Sequence, residues 1–210
     1  MIFEQIKLQT GELEQLKFFY GHVLGLEIFE DTAEQFSVRI GWTKLRFEQA
    51  AEGNPFYHFA ANIPENRMVQ AKEWLSSRAS LQMEDGENEV FFTSWNAHSV
   101  YFEDPAGNIV EFIARHNLKN ASEEAFSSRS LLCVSEIGIV RDEVIPFVRE
   151  LNRQGFPNWK EDSEGLTPVG DELGLFIVVR DQRIWFFSRR PASRFPVNVK
   201  VEGRAEWMEL

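Results

Sequence analysis

The chain has 210 residues, of which 43% are hydrophobic and 19 are Phe, so it can bury a real core as one large domain or two small ones. Acidic residues outnumber basic ones by 33 to 22, and the resulting net charge of -11 makes nucleic acid and anionic membranes poor partners. The single cysteine, Cys133, excludes an internal disulfide framework. With neither a signal peptide nor a membrane-spanning stretch in the sequence, we expect a cytoplasmic protein.

The first predicted unit combines a strand, a helix and two further strands. Its first strand alternates apolar and polar side chains, as a half-buried strand does. In the helix, Leu13, Leu16 and Val23 approximate one apolar face, and Gly25 is suited to end it. The predicted elements are a strand at 2–10, a helix at 11–24 and strands at 26–39 and 43–50.

The second unit repeats the order of the first. Its first strand aligns with that of the first unit at a constant shift of 53 residues, so His58 falls where Gln5 does. Pro64 is suited to the first turn of the following helix, because N–H groups there have no intrahelical partner. The other predicted elements are a helix ending near residue 78, a hairpin around Asp85 and Gly86 within 81–93, and a final hairpin within 100–113.

A polar stretch rich in small side chains is predicted to be a linker before a third unit. The helix of the third unit, which Asp142 is suited to cap, has Val144, Val148 and Leu151 at positions i, i+4 and i+7. A fourth unit is truncated to one strand. The predicted elements are a strand at 134–140, a helix at 142–153, strands at 173–180 and 183–188, and the remnant strand at 195–201.

The repeated pattern predicts an α+β fold of tandem βαβββ units, with curved mixed sheets and helices outside, because each helix is amphipathic and the strands alternate. The predicted organisation is a module of two units at 1–116, a linker at 117–130 and a partial second module at 131–210. Repeated units of this size normally stack to bury the sheet faces that each leaves uncovered.

The most informative stretch is Val100 to Ile113. Two apolar runs flank Asp104-Pro105-Ala106-Gly107, in which proline and glycine favour a hairpin turn. Glu111 then lies inside an otherwise apolar strand, where a carboxylate is costly unless it is paired, protonated or bound to a metal.

This hairpin resembles the last hairpin of the vicinal oxygen chelate superfamily, which includes glyoxalase I, extradiol dioxygenases and the fosfomycin and bleomycin resistance proteins. The first helix, with Phe18-Phe19-Tyr20 and Leu24-Gly25-Leu26, also ends as that family's first helix usually does. Residues 1–115 fit the family without large gaps, and residues 130–210 fit it weakly. The resemblance implies a glyoxalase/bleomycin resistance-like fold in which two units form one cup-shaped sheet.

The resemblance also implies that each unit offers one metal ligand from its first strand and one from its last. The first-strand positions here are Gln5, His58 and Glu136, and the last-strand positions are Glu48 and Glu111, with an aromatic run around Trp185 in the third unit. Pairing units one and two gives a glyoxalase-like set: Gln5, Glu48, His58 and Glu111. Pairing units two and three gives His58, Glu111 and Glu136, which we favour because the linker is long enough to cross one module face.

Imidazole nitrogen and carboxylate oxygen suit divalent zinc, nickel, manganese or iron. Such a metal acts as a Lewis acid on a small substrate that chelates through two adjacent oxygens, and Glu111 beside it can move a proton. Tyr101 matches a tyrosine that contacts substrate in extradiol dioxygenases, and His98 is a candidate acid behind the metal. Because only one histidine falls on a ligand position, a lyase or isomerase is favoured over ring cleavage.

Other interpretations of the same residues stay open. His58 can be a hydrogen-bonded core histidine, Glu48 a solvated strand end, and Gln5 a hydrogen-bonding group within the sheet. The abundance of Phe and Trp, the missing second histidine and the truncated fourth unit favour a metal-free small-molecule binding protein of the bleomycin-resistance kind. Since two-unit chains of this family often exchange units between subunits, a homodimer also stays open.

Overall fold

The computed structural model describes residues 1–210, which form three α-helices and 13 strands. None of the helices has both the length and the apolar character needed to cross a membrane. The helices are α1 (Leu13–Phe18), continued by a π-helical turn (Phe19–Val23), α2 (Met68–Ser76) and α3 (Val144–Arg153), and there is a 3-10 turn at Ser128–Ser130. The strands are β1 (Phe3–Thr10), β2 (Ile28–Phe29), β3 (Gln35–Ile40), β4 (Thr43–Gln49), β5 (His58–Ile63), β6 (Val90–Phe92), β7 (Ala97–Glu103), β8 (Ile109–Arg115), β9 (Cys133–Arg141), β10 (Leu166–Asp171), β11 (Gly174–Arg180), β12 (Val197–Val201) and β13 (Met208–Glu209).

A six-stranded mixed sheet joins the first unit to the end of the chain, in the order β13-β12-β1-β4-β3-β2. Strand β1 pairs in parallel with β4 and antiparallel with β12, where Ile6 lies opposite Val199. The remnant of the fourth unit therefore completes the sheet of unit one.

A seven-stranded mixed sheet combines units two and three, in the order β10-β11-β9-β5-β8-β7-β6. The two units meet where β5 and β9 pair antiparallel, with Ala60 opposite Glu136. The sheets do not follow the predicted module boundary at 117–130, because this sheet takes strands from both sides of it.

One core of 41 buried residues joins the three helices to one face of each sheet. The two sheets meet within it, for example where the ring centroids of Phe3 and Phe176 lie 5.4 Å apart. The opposite face of the seven-stranded sheet carries a separate cluster that includes Tyr101, Ile177 and Trp185. The predicted α+β fold with curved mixed sheets and helices outside is confirmed. Units one and two have the predicted βαβββ order, whereas unit three has one strand fewer (β9-α3-β10-β11), and one face of the larger sheet is left to form a cavity.

Several local predictions are wrong. The sequence predicts no strand at β10 or β13, and Pro64 lies ahead of α2, whose N-cap is Arg67. Residues 183–188 form no strand: Ile184 makes an isolated bridge to Pro191, and a turn follows at residues 186 and 187. The neighbouring Gln182 and internal Phe187 have positive φ angles of 64° and 53°. The chain turns there because Trp185 and Phe187 both pack on the sheet face that lies away from the helices. The predicted strand at 26–39 is divided into β2 and β3, and Asp142 does not cap α3, whose N-cap is Glu143.

A buried polar network anchors the hairpin turn between β7 and β8. The carboxylate of Asp104 accepts hydrogen bonds from the Tyr20 hydroxyl at 2.7 Å, from the Asn108 side chain at 2.8 Å, and from the backbone N–H groups of Ala106 and Asn108 at 3.0 Å each. The Asn108 amide oxygen in turn accepts from the Tyr57 N–H at 2.8 Å. Despite these donors, burial raises the pKa of Asp104 to about 6.

We expect Tyr20→Phe to lower the free energy of unfolding by about 1–3 kcal/mol, because it removes one donor from a buried carboxylate and keeps the ring. Urea unfolding followed by circular dichroism measures the change. Phe18→Leu is the control, since Phe18 is 60% exposed and its replacement should cost less than about 0.5 kcal/mol. Equal stability of the two variants would contradict the assigned role of the network.

Candidate metal centre

Strand register brings one histidine and two glutamates to the same side of the seven-stranded sheet. Ala60 lies opposite Glu111 on β8 and opposite Glu136 on β9, and His58 is two residues before Ala60 on β5. Side chains two apart on a strand, and side chains directly opposite on neighbouring strands, share a face. His58, Glu111 and Glu136 are only 5%, 3% and 3% exposed, and their potential ligand atoms all lie within 4.8 Å of one another.

The imidazole of His58 is oriented by the backbone. Its Nδ1 lies 3.1 Å from the carbonyl oxygen of Ile109, so Nδ1–H donates to that carbonyl in the neutral tautomer assigned from this contact. Nε2 then keeps a free lone pair, 3.6 Å from Glu111 Oε2 and 3.8 Å from Glu136 Oε2. A histidine fixed by a carbonyl in this way is typical of metal-ligating histidines.

A fully buried arginine lies behind the three residues. A terminal nitrogen of Arg115 is paired with Oε1 of Glu136, and its Nε donates to the Asn62 side-chain oxygen at 3.1 Å. The guanidinium carbon lies 5.5 Å and 5.7 Å from the ring centroids of Trp95 and Trp159. The Glu136 carboxylate is therefore shared, with one oxygen bound to Arg115 and the other facing the histidine.

Two carboxyl groups that are almost completely buried determine the electrostatics of the site. Burial, reinforced by the Glu136 carboxylate, raises the pKa of Glu111 to about 7. Burial alone lowers the pKa of His58, but the two carboxylates outweigh it and the pKa is raised above its ordinary value. Burial and the same carboxylates raise the pKa of Tyr101 well above its usual range, so its phenol stays neutral.

An open cavity of about 300 Å³ lies over these residues, and eight of its 13 lining residues are hydrophobic. Trp185 covers His58, with 4.9 Å between the ring centroids. The cavity is lined by His58, Phe92, Ser94, Trp95, Tyr101, Glu111, Ile113, Glu136, Leu166, Ile177, Arg183, Trp185 and Phe186. His58, Glu111 and Glu136 form a polar floor, and the walls are mainly aromatic.

The structure brings together the favoured set of predicted ligands and separates the other two from it. Gln5 and Glu48 belong to the six-stranded sheet, where Glu48 lies 3.7 Å from a side-chain nitrogen of Arg46. Lys7 lies opposite Arg46 there, as Ala60 lies opposite Glu111 in the larger sheet. Arg46, not Glu48, therefore occupies the position that corresponds to Glu111, and this sheet presents no ligand set.

The two predicted proton-transfer residues have different outcomes. Tyr101 lies directly opposite Glu111 in the sheet and lines the cavity. His98 is three residues from Tyr101 on β7, so its side chain is on the other face of the sheet. Its Nδ1 lies 2.7 Å from Nε2 of His116, and its ring packs on Phe91. His98 does not reach the cavity, and the predicted role behind the metal is not supported.

The last strand of unit three is β11, not the aromatic run around Trp185. Gly138, two residues after Glu136, lies opposite Ile177 on β11, so an apolar side chain occupies the fourth ligand position. Trp185 nevertheless reaches the site from its turn. A Cβ at position 138 would lie only 2.7 Å from Cη2 of Trp185, so glycine is required for the indole to lie on β9.

The sequence prediction missed Arg115, Trp95 and Arg183. Arg115 had a usable signal, since Glu111, Ile113 and Arg115 alternate along one strand and must share a face. Trp95 and Arg183 lie in turns, where no periodicity reports which way a side chain points.

We expect Arg115→Met to lower the free energy of unfolding by about 3–5 kcal/mol, because it leaves the Glu136 carboxylate buried without its ion-pair partner. The double variant Arg115→Met, Glu136→Met should regain a large part of this loss, since neither charge then remains. Chemical unfolding of both variants and the wild type gives the comparison. A double variant no more stable than the single one would contradict this account of the pair.

Comparisons with known proteins agree with the architecture. No protein-family model matches the sequence, and no curated protein matches it. The structure of a provisionally assigned dioxygenase from Bacillus subtilis aligns with a TM-score of 0.58 at 16% identity, over 85% of this chain and 63% of that one. Two glyoxalase I variants from Zea mays align with TM-scores of 0.56 and 0.53 at 14% and 12% identity, each over 85% of this chain and over 67% and 66% of theirs. The chain therefore has the glyoxalase-like fold of these structures, and it spans less than two thirds of the Bacillus protein.

Proposed function

We propose that this chain is a metal-dependent enzyme that acts on a small substrate able to chelate through two adjacent oxygens, as a lyase or isomerase rather than a ring-cleaving dioxygenase. The observation that carries the proposal is the convergence of one buried imidazole and two buried carboxylates within 4.8 Å, on the floor of an open cavity. Having one histidine instead of two weighs against the iron-dependent ring-cleaving pattern.

The residues present fit a divalent metal in donor type, orientation and charge. The three potential donor atoms face one another. His58 Nε2 lies 3.6 Å from one oxygen of Glu111 and 3.8 Å from one oxygen of Glu136. Donors around one small divalent ion are separated by roughly 3.0–3.4 Å, so a modest inward movement would complete the set. Nitrogen and oxygen donors suit zinc, nickel, manganese or iron.

When bound, the metal would supply Lewis-acid stabilisation of a developing oxyanion. The chain's own residues supply the remainder. Glu111 lies at the floor where a chelated substrate would rest and is the group placed to accept and return a proton. The neutral phenol of Tyr101, opposite Glu111, can donate a hydrogen bond, and the walls formed by Trp95 and Trp185 exclude water from this end of the cavity.

We expect the wild type to bind close to one divalent ion per chain, and His58→Ala, Glu111→Ala and Glu136→Gln to weaken that binding by roughly 100-fold or more while the fold is retained. The two alanine variants each remove a ligand atom, and Glu136→Gln replaces a charged ligand oxygen by a neutral amide oxygen. Isothermal titration with zinc, nickel, manganese and ferrous iron measures the affinity, and circular dichroism checks the fold.

Glu48→Gln is the matched control, since Glu48 is a strand glutamate of the other sheet and should leave the affinity unchanged. Saturable binding by none of the four ions would remove the enzyme proposal. A loss of metal affinity in Glu48→Gln, together with an unchanged metal affinity in Glu136→Gln, would contradict this ligand set and favour the glyoxalase-like pairing of units one and two.

The second candidate is a metal-free protein that binds an aromatic ligand. One specific observation favours it: Arg115 and a protonated His58 would together balance the charges of Glu111 and Glu136 with no metal present. The aromatic walls fit this function equally well. It predicts that an aromatic ligand quenches tryptophan fluorescence with the same affinity before and after treatment with a chelator.

A further inference from the structure

We propose that the ligand of this cavity is a planar aromatic compound that carries a carboxylate, with its ring between the aromatic walls and its carboxylate at Arg183. The position of its vicinal oxygens at His58, Glu111 and Glu136 rests on the proposed metal-dependent function. The position of its carboxylate does not, because it depends only on the cavity mouth, the more exposed end that Phe92, Arg183 and Phe186 line.

The shape and lining of the cavity favour a single flat ring. Phe92 and Phe186 meet edge to face across the mouth, with 5.6 Å between their centroids, and Trp95 and Trp185 form further walls. Aromatic walls gain most from a ring that can stack or meet them edge to face. Because a cavity of about 150 Å³ accommodates benzene, the present volume of about 300 Å³ suits one substituted ring.

Arg183 is the only lysine or arginine that lines this cavity. Its side chain makes no salt bridge with any carboxylate of the chain, and the one hydrogen bond that this side chain donates goes to the neighbouring carbonyl of Ile184 at 3.1 Å. The guanidinium carbon lies 5.1 Å from the Phe186 ring, which holds it beside the aromatic wall. A planar guanidinium with free donors matches a carboxylate in a two-pronged arrangement.

The charges at the two ends of the cavity favour an anionic ligand. At the deep end, Glu111 and Glu136 carry two negative charges, and Arg115 and a divalent metal would carry three positive ones. Arg183 adds a further positive charge at the mouth, so the loaded cavity has an excess of positive charge in a chain whose net charge is -11. A neutral ligand would leave Arg183 uncompensated, whereas a carboxylate on the ring pairs with it.

The test compares three probes on the full chain: 3,4-dihydroxybenzoate, which has both features, catechol, which lacks the carboxylate, and benzoate, which lacks the vicinal oxygens. Quenching of tryptophan fluorescence reports binding, because Trp95 and Trp185 line the cavity. Each titration is run with zinc and after treatment with a chelator. The variant is Arg183→Gln, and the control is Arg189→Gln, which changes an exposed arginine of the same segment that does not line the cavity.

We expect the zinc-loaded wild type to bind dihydroxybenzoate at least about 10-fold more tightly than catechol, as one charge-assisted hydrogen-bonded contact provides. Arg183→Gln should remove this difference and leave catechol affinity unchanged, whereas Arg189→Gln should preserve it. Benzoate should bind with or without zinc, and more weakly in Arg183→Gln. Near-ultraviolet circular dichroism checks that the aromatic wall of the cavity is intact. Arg183→Lys is a second variant, which keeps the positive charge and loses the planar pair of donors of the guanidinium.

Equal affinities for dihydroxybenzoate and catechol in the wild type would overturn the inference, as would equal effects of Arg183→Gln and Arg189→Gln. Either result leaves the metal proposal standing if zinc still binds. Conversely, if none of the four divalent ions binds, the proposed enzyme function is removed, while benzoate binding that depends on Arg183 would still support the carboxylate end.

Discussion

The antiparallel pairing of β5 with β9 is the interaction on which the candidate site depends. It places Glu136 opposite Ala60, whose other neighbour is Glu111, so the two carboxylates flank one small side chain. A slip of one residue would turn Glu136 into the helix-packed core and an apolar side chain into the cavity. Ser135 has no register partner on β5, and this irregularity fixes the register at the site.

The pairing forces buried charges together, and the structure offsets their cost with specific partners. Removing two carboxylates from water is unfavourable, and their mutual repulsion adds to the cost. Arg115 binds one oxygen of Glu136, and Asn62 holds Arg115 in place. A group of apolar side chains of similar volume would serve stability at least as well. The arrangement is therefore better explained by a chemical role than by a contribution to folding.

Much of this could be predicted from the sequence because the relevant signals are local. Alternation identified most of the strands but not β10 or β13, and the repeat aligned His58, Glu111 and Glu136 with the ligand positions that the family resemblance implies. Alternation could not separate Glu48 from Arg46, because residues two apart on a strand share a face and only the pairing with β1 distinguishes them. His98 is a different case, since its odd spacing from Tyr101 already places it on the opposite face. The aromatic run at 183–188 has the composition of a strand, but Phe187 has a positive φ angle, and Trp185 and Phe187 pack on residues that are distant in the sequence.

The shortened third unit explains why one wall of the cavity is formed by an irregular aromatic segment and not by a strand. It has only three strands, because residues 154–165 replace the second strand of a complete unit, and its last strand offers Ile177 where the second unit offers Glu111. The segment after that strand folds over the sheet instead, with Trp185 on His58 and Arg183 at the mouth. A set of three protein donors leaves coordination positions for substrate, whereas a fourth would occupy one of them. Under the proposed function, the isoleucine at the fourth ligand position and the indole that closes that side would act together. Substrate oxygens would approach from the apolar side, and the rest of the substrate would lie along the aromatic wall toward Arg183.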